Sequence, residues 1–376
     1  MFRSLLVILL FSVGGLTSVS AHIPEDISVT LETLSNGYSS TDKLEIKISY
    51  TNNSDQSIRF LAWNTALEGL IGHDFLDVLF EGNRLSYIGK HVKRLPATDA
   101  DYIVLAAKQT AEAIVDLEGA YPIQEKGEYL ISYKTHGFET KSSSKQVSVT
   151  LNLLDSKPIK LLKQTPIINP SCTPTQVAQI DEALAIAERI AITASRDLDN
   201  APVAERPNAR RYVEWFGAYT QARYNNVASG MREIARALIR ERIGFDCTCD
   251  DPRRNNLFAF VFPNDPFNMN VCPVFFRVSP AGTDSRSGTI VHEISHFTVV
   301  AGTDDFSSAL DQSGSRRLAI DSPASAVRNA NAFEYFAENT PFLPMPVSSS
   351  DDGGDEPEPE PETGIIAPIL PILLDE

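Results

Sequence analysis

The stretch GTIVHEISHFTVVAGTDDF, residues 288–306, carries two histidines four positions apart, with a glutamate directly after the first. On an α-helix, positions i and i+4 lie on one face, so His292 and His296 present two imidazoles to one ion. Glu293 lies on the adjoining face, where a carboxylate acts on a water at that ion. Gly302 then ends the helix and turns the chain back. The pattern therefore predicts a zinc site on a helix of this segment.

The alternative for this segment is a pair of surface histidines on an amphipathic helix. The chain has six histidines, and the other four precede a linker predicted at residues 155–171. The only two histidines beyond that linker therefore stand at ligand spacing. Polar side chains at these positions also interrupt an otherwise apolar helix, which a ligand role explains. We therefore expect one Zn2+ per chain.

The third zinc ligand is expected to be a carboxylate. Catalytic zinc typically takes three protein ligands and leaves one position for water or substrate. No third histidine remains in this half of the chain, and Asp304 and Asp305 follow the Gly302 turn. Charge and reach alone leave both aspartates open as the ligand.

The first 21 residues, MFRSLLVILLFSVGGLTSVSA, have one basic residue, an apolar run and small residues at their end. This arrangement is typical of a secretory signal peptide cut after Ala21, and it predicts a secreted, extracellular protein. The alternative is a membrane anchor, for which the apolar run is too short. No later segment reaches the roughly 18 apolar residues that a span needs, so we expect no stable membrane insertion.

The four cysteines, Cys172, Cys247, Cys249 and Cys272, all lie in the second half of the chain. In an exported protein, an even number of cysteines indicates disulfides. Cys247 and Cys249 are too close for comfortable mutual pairing, so each is expected to pair outward. We favour Cys172–Cys247 together with Cys249–Cys272. The alternative, a cysteine-based metal site, would lack the usual paired spacing.

The formal net charge of −16 argues against nucleic acid as a partner. Seven of the negative charges lie in SSSDDGGDEPEPEPETG, and the rest of the chain is still acidic without them. A run rich in proline and glutamate cannot bury a core. Residues 347–376 are therefore predicted to be an acidic linker followed by a short apolar tail.

Residues 22–154 have the composition and alternation of β-structure. Turn-forming stretches such as SNG, TNNSDQ and EGN separate short segments rich in β-branched residues. The expected strands are ISVTLETL, KLEIKISYT, SIRFLAW, FLDVLF, RLSYIG, AEAIVDL, EYLISYKT and QVSVTLNLL. About eight strands over this length predict an immunoglobulin-like β-sandwich. Residues 155–171, DSKPIKLLKQTPIINPS, are predicted to be a linker.

In residues 172–346, apolar residues recur at the spacing of a helix. Thr173 or Thr175 is expected to cap the first of these helices. A second helical region is expected at 209–243. Two apolar strands, LFAFVF and VCPVFFRV, precede the HEISH helix, and a helical segment, RNANAFEYFAEN, follows it. This order predicts an α+β domain of the zincin type. We expect the strand VCPVFFRV to hold an extended substrate.

HEISH followed by GTDD resembles the aspzincin metallopeptidases, which include deuterolysin and peptidyl-Lys metalloendopeptidase. Their pattern is HExxH and then Gly-Thr-x-Asp-x-x-Tyr-Gly, to which Gly302 and Thr303 correspond. The similarity is closest to the peptidyl-Lys group and covers most of residues 172–342. It is carried by YVEWFGAY, DCTC, GTDSRSGTIVHEISHF and NANAFEYFAENTP. The cysteine pairing favoured above agrees with this resemblance.

The resemblance implies a zinc endopeptidase that acts on protein or peptide substrates. Asp305 takes the family's ligand position, so His292, His296 and Asp305 would hold the zinc. Glu293 would be the catalytic general base. We expect the enzyme to act as a monomer.

Two positions depart from the family pattern. The tyrosine that is thought to help stabilise the tetrahedral intermediate falls on Ser308, whose shorter hydroxyl puts that oxyanion contact in doubt. In the peptidyl-Lys group, two acids bind the lysine ammonium of the substrate in the S1′ pocket. Here they fall on Asn331 and Glu334, so one charge is kept and the other becomes a neutral amide. The alternative for Glu334 is an acid on the helix surface.

All twelve lysines lie between Lys43 and Lys163, whereas residues 164–376 contain 17 arginines and no lysine. A regional arginine bias is one explanation. A protease that cuts at lysine also gains by carrying no lysine in its mature body, and this favours cleavage on the amino side of lysine. The lysine-containing N-terminal region is then predicted to be a pro-domain, removed by self-cleavage of the linker near Lys163.

Other interpretations of the same features stay open at this stage. The N-terminal region could be a retained accessory sandwich that binds substrate or a surface. The catalytic region could be an aspzincin endopeptidase of broad specificity, or an inactive, zinc-stabilised binding protein. Glu293 argues against the inactive protein, because a purely structural zinc site needs no general base.

Overall fold

The computed structural model describes residues 26–69, 71–134, 148–155, 171–251 and 253–346. The predicted signal peptide, nearly all of the predicted linker and the acidic tail lie outside these ranges. In the ranges described, no helix is long and apolar enough to cross a membrane.

The N-terminal half is built from β-strands. They are β1 (Ile27–Thr33), β2 (Glu45–Asn52), β3 (Ile58–Leu61), β4 (Leu76–Phe80), β5 (Asn83–Arg84), β6 (His91–Arg94), β7 (Tyr102–Leu105), β8 (Thr110–Asp116), β9 (Gly127–Tyr133) and β10 (Ser148–Leu153). All but β6 form three antiparallel sheets, with strand orders β1-β2-β8, β10-β9-β4-β5 and β3-β7. This half is therefore all-β, as the alternation predicts, and its immunoglobulin-like class stays a prediction.

The alternation of β2 shows why these strands form. Ile46, Ile48 and Tyr50 lie on one face of the strand and are fully buried, because side chains two positions apart point to the same side. They share one core with Leu76 and Ile131, which come from the strands of another sheet. The packing of two sheets around one apolar layer stabilises this half of the chain.

The strand prediction was wrong in the middle of this half. The expected strand RLSYIG contributes only its first residue, Arg84, to β5, whereas β6 and β7 were not predicted. Both missed strands have four residues, and β6, HVKR, has no alternation of polar and apolar side chains. Such a segment forms a strand because of what it pairs with, which the local pattern does not contain.

The C-terminal half combines seven helices with three strands among its described residues. They are α1 (Pro174–Asn200), α2 (Arg210–Phe216), α3 (Gln221–Arg240), β11 (Gly244–Asp246), β12 (Leu257–Val261), β13 (Asn268–Val271), α4 (Arg286–His296), α5 (Gln312–Asp321), α6 (Pro323–Ala326) and α7 (Ala330–Glu338). The helical region expected at 209–243 is two helices, because Gly217 adopts a positive φ of 77° between α2 and α3.

Helix α1 packs against the core of the C-terminal half. It begins at a capping box, in which the Thr173 hydroxyl accepts from the backbone N–H of Gln176. The alanines along one face, Ala183, Ala187, Ala191 and Ala194, are fully buried. Their small side chains let α3 and α4 approach closely, which holds α4 inside the core.

The sheet of the C-terminal half has the strand order β11-β13-β12-β6, so one of its outer strands comes from the N-terminal half. Strand β12 pairs antiparallel with both β13 and β6. The expectation that VCPVFFRV is a substrate-holding strand was wrong. Strand β13 ends at Val271, and Phe275–Arg277 is a 3-10 helix. The Cys272 N–H still donates to the Phe258 carbonyl at 2.9 Å, but Pro273 has no N–H with which to continue the ladder.

Two disulfides fix the loops around this sheet. Cys172 is bonded to Cys247, and Cys249 is bonded to Cys272, the pairs favoured from the sequence. The first joins the start of α1 to the segment after β11. The second joins that segment to the end of β13, so the first bond ties the sheet to α1 and the second ties two of its strand ends together.

Candidate active site

Helix α4 buries the HEISH residues completely. His292, Glu293 and His296 are at most 1% exposed, so they are not surface residues of an amphipathic helix. The helix begins at Ser285, whose hydroxyl accepts from the N–H of Gly288. A β-carbon at Gly288 would collide with the carboxylate of Glu338 on α7. A glycine there therefore allows α7 to approach the first turn of α4.

The loop after α4 carries the third member of the site. The side chain of Asp305 is 4% exposed, and its Oδ1 lies 3.1 Å from His292 Nε2 and 3.5 Å from His296 Nε2. Asp304 instead forms an ion pair with Arg328 and points away. Of the two aspartates that the sequence left open, Asp305 faces both imidazoles. These imidazoles outweigh burial and hold the pKa of Asp305 well below its usual value.

The far side of each imidazole ring is held by the protein. His292 Nδ1 donates to Glu334 Oε2 at 3.2 Å, and His296 Nδ1 donates to the Thr303 carbonyl at 2.9 Å. Both Nε2 atoms are buried and have no hydrogen-bond partner among the described residues. Two oriented Nε2 atoms that face one carboxylate oxygen fit a zinc ion, whose histidine ligands usually donate their other N–H to the protein.

Glu293 is fully buried beside these three residues. Both of its carboxylate oxygens are buried and lack a hydrogen-bond partner in the described part of the chain. Burial, with smaller contributions from Asp305 and Glu334, raises the pKa of Glu293 to about 8. A carboxylate with a raised pKa beside a metal site has the properties of a general base that exchanges protons near neutral pH.

An acidic pocket adjoins the ligand group, which consists of His292, His296 and Asp305. Glu334 on α7 is fully buried, so the interpretation of this residue as a surface acid was wrong. Its Oε2 lies 2.6 Å from the Nζ of Lys93, a residue of β6 that is only 3% exposed. Asp284 Oδ1 lies 3.2 Å from the same Nζ and accepts from the Tyr335 hydroxyl at 2.9 Å. Burial opposes ionisation of Glu334, but the Lys93 ammonium lowers its pKa.

Two residues singled out by the resemblance lie elsewhere. The Asn331 side chain is 3% exposed, and its Nδ2 donates to the Ala309 carbonyl at 2.7 Å. Within the described ranges, no hydrogen bond joins it to Lys93. Ser308 lies exposed on a turn, and none of the hydrogen bonds found for the described chain joins its hydroxyl to the ligand group. The predicted roles of both side chains, toward a substrate lysine and toward the tetrahedral intermediate, stay predictions.

Sequence reasoning missed three residues of this site. His91 and Lys93 lie in β6, which was not predicted as a strand, and nothing in HVKR indicates a catalytic partner. Asp284 lies in GTDSRSG, within a segment that carries the family resemblance, so this segment was the one available signal. Asp284 and Lys93 are 191 residues apart in the chain, so no local sequence pattern predicts their contact.

Comparisons with known proteins find similarity to metalloendopeptidases. The sequence profile of the aspzincin family, described as a lysine-specific metallo-endopeptidase, matches residues 202–338. An extracellular protease of Aeromonas hydrophila is 34% identical over 322 residues, 80% of this chain and 90% of that protein. A peptidyl-Lys metalloendopeptidase of Pleurotus ostreatus is 38% identical over 172 residues, 46% of this chain and 96% of that protein. A solved zinc peptidase from Grifola frondosa is 32% identical, with a TM-score of 0.41, and covers 46% of this chain and 99% of its own.

Proposed function

Because the chain belongs to the aspzincin family of metalloendopeptidases, we propose that it is a secreted zinc endopeptidase that cuts proteins on the amino side of lysine. The observation that carries the lysine preference is the buried Lys93 ammonium, 2.6 Å from Glu334 beside the ligand group. Burying an ammonium is costly unless it is paired. A pocket that satisfies this cation is suited to a substrate lysine after the N-terminal half has left.

We assign the zinc to His292, His296 and Asp305. Zinc bound there supplies a Lewis acid that polarises the peptide carbonyl and makes water more acidic. Glu293 accepts a proton from the attacking water and passes it to the departing amine. Its burial supports this role, because burial raises the pKa of the carboxyl and makes the carboxylate take the proton more readily.

We assign the lysine pocket to Glu334 and Asp284. The resemblance predicts two acids in the S1′ pocket, at Asn331 and Glu334. Asn331 is bonded to the Ala309 carbonyl, whereas Asp284 lies 3.2 Å from the resident ammonium. The second carboxylate of the pocket would therefore come from the loop before α4. Two carboxylates around one ammonium favour lysine over neutral side chains.

We assign a removable pro-domain to the N-terminal half. Strand β6 of this half covers the outer edge of β12, where an extended substrate would pair. The predicted linker carries Lys157, Lys160 and Lys163, and no lysine follows them. Cleavage before Lys163 would release the covering strand and leave a body with a single lysine at its start.

Mass spectrometry of peptides that the secreted enzyme releases from a denatured protein tests the proposed function. We expect new amino termini to begin with lysine far more often than its abundance allows, and a chelator to stop the digestion. The Glu293→Gln protein, purified in the same way, controls for contaminating proteases. Termini without lysine enrichment would contradict the specificity, and digestion that a chelator leaves unchanged would contradict the zinc mechanism.

A further inference from the structure

Strand β6 comes from the N-terminal half of the chain but completes the sheet of the catalytic half. It pairs antiparallel with β12, so that His91 lies opposite Val261 and Lys93 opposite Ala259. All four of its residues are buried, although three of them have ionisable side chains. Such side chains are seldom buried without partners. The contacts of β6 therefore indicate what the strand does.

The imidazole of His91 faces the ligand group. Its Nδ1 lies 3.8 Å from Asp305 Oδ2, and its ring centroid lies 4.4 Å from that of His296. One potential ligand atom from each of these three residues lies within 4.8 Å of the other two. The backbone N–H of Val92 donates to Asp305 Oδ2 at 2.9 Å, which fixes the strand against the same carboxylate.

The alternative for His91 is a packing role in the core. Its ring does contact that of Tyr87, with centroids 5.5 Å apart. Packing alone does not account for a second imidazole and a carboxylate within the reach of one ion. It also does not account for the neighbouring Nε2 atoms of His292 and His296, which are buried without a hydrogen-bond partner in the described chain.

One face of β6 reaches two parts of the site. Side chains two positions apart lie on the same side of a strand, so His91 and Lys93 both point toward the catalytic half. His91 faces the ligand group, and Lys93 lies between Glu334 and Asp284. The strand therefore contacts both the lysine pocket and the ligand group.

We propose that His91 is a fourth zinc ligand, supplied by the N-terminal half, and that β6 thereby keeps the intact chain inactive. The inference rests on the proposed function. Catalytic zinc keeps one position open, whereas structural zinc is closed by four protein ligands. His91 would complete the set begun by His292, His296 and Asp305. With β12 covered and the pocket filled, an extended substrate finds no free edge and no free S1′ pocket.

Counting the histidine ligands tests the metal part of this proposal. The intact Glu293→Gln chain, which does not process itself, would be loaded with Co2+ and its paramagnetically shifted imidazole N–H protons recorded by NMR. We expect three such resonances, of which His91→Ala removes one. We also expect His91→Ala to lose zinc faster to a chelator, by at least the roughly 10- to 100-fold that weakening a ligand's supporting contact costs.

Each outcome of the NMR experiment is decisive. Two resonances in the parent chain would overturn the role of His91 and leave the proposed zinc site intact. No shifted resonance at all would contradict the proposed zinc site itself. If His91→Ala does not fold, His91→Gln removes the imidazole but keeps a polar side chain, and the parent spectrum alone still decides. Lys90→Ala is the matched control, because it removes an ion pair to Asp251 beside the strand without touching a ligand.

A second experiment tests whether β6 keeps the chain inactive. Replacing Lys157, Lys160 and Lys163 by glutamine should keep a chain with unaltered Glu293 in one piece. We expect this chain to cleave a short fluorogenic lysine peptide at least about tenfold more slowly than the processed enzyme, and His91→Ala to restore part of the rate. Equal rates for the intact chain and the processed enzyme would overturn the proposal. An inactive processed enzyme would instead contradict the proposed function.

Discussion

Helix α4 and strand β6 bring buried ionisable side chains to one site from opposite halves of the chain. The helix places His292, Glu293 and His296 within one segment of five residues, so their spacing alone indicates a zinc site. The strand contributes His91 and Lys93, and Lys93 meets Glu334 across 241 positions of sequence. The chemical role of a residue can be predicted from sequence when its partners are close in the chain. It cannot be predicted in this way when its partners lie hundreds of residues away.

The same comparison separates the catalytic residues from the proposed inhibitory ones. Changes on α4 should abolish chemistry in every form of the protein. Changes on β6 should alter the intact chain but leave the processed enzyme unchanged, because β6 is absent from it. The following experiments either sharpen this division or break it.

Glu293→Gln should have the largest effect. After the variant has been processed by immobilised parent enzyme, we expect its kcat/KM to fall by about 100- to 10,000-fold, the usual contribution of a general acid or base. Zinc content should stay unchanged, because Glu293 is not one of the proposed ligands. The paired measurement is His91→Ala after processing, which should match the parent enzyme. A processed Glu293→Gln enzyme with nearly full activity would break the division between α4 and β6.

Lys93→Ala should strongly destabilise the intact chain. Removing the ammonium leaves Glu334 and Asp284 facing each other without a cation, and the loss of one partner from a buried ion pair costs about 3–5 kcal/mol. Chemical denaturation of the chain in the Glu293→Gln background measures this. Lys43→Ala, which removes an exposed pair with Glu45, should cost about 0–1 kcal/mol. Equal losses would mean that the Lys93 pocket does not hold the two halves together.

The lysine pocket can be divided by two matched substitutions. Asp284→Asn and Glu334→Gln each remove a charged hydrogen-bond partner of the substrate ammonium, which is worth about 10- to 150-fold. Because Glu334 also accepts from His292, its replacement should slow cleavage of every substrate. Asp284→Asn should lower kcat/KM only for lysine peptides, compared with peptides that have methionine at P1′. An Asp284→Asn enzyme with an unchanged preference for lysine over methionine at P1′ would show that Asp284 is not the second acid of the pocket.

The two aspartates after α4 provide a close control pair. Asp305→Ala should weaken zinc retention by at least about 10- to 100-fold, since a ligand matters no less than its supporting contacts. Asp304→Ala should keep the metal, because Asp304 pairs with Arg328. Metal analysis after dialysis against a chelator measures both. Normal zinc in Asp305→Ala would remove this residue from the ligand set.

Asn331→Asp should have the smallest effect. The substitution replaces a donor to the Ala309 carbonyl with an acceptor, and an unsatisfied buried group costs about 1–3 kcal/mol. We expect a modest loss of stability in thermal unfolding and no gain in lysine preference. A sharper preference for lysine would show that position 331 contributes to the pocket after all.

Much of the catalytic half could be predicted from sequence because its signals are local. The histidine spacing and the apolar periodicity of α1 each depend on neighbouring residues. The expected helix end at Gly302 was wrong, because α4 ends at His296 and a turn separates it from Gly302. The choice between Asp304 and Asp305 was not local. It depends on Arg328, which pairs with Asp304 from beside α7. The family resemblance indicated Asp305, and the structure gives a physical reason for the difference between the two.

The parts that could not be predicted depend on pairing across the chain. HVKR has neither the length nor the alternation of a typical strand, and its burial depends on β12, Glu334 and Asp305. The expected strand VCPVFFRV failed for the opposite reason. Its apolar residues suit a strand, but the assigned strand ends at Val271, and Pro273 has no N–H to continue the ladder beyond Cys272.

Crystals of the intact, zinc-loaded Glu293→Gln chain, measured at the zinc absorption edge, test the central claim most directly. The claim is that each half of the chain contributes to one closed site. The account predicts a single anomalous peak about 2.0–2.2 Å from Nε2 of His292 and His296, from an Asp305 oxygen and from a ring nitrogen of His91, with Lys93 between Glu334 and Asp284. Zinc elsewhere, a site without His91, or Lys93 outside the pocket would contradict it.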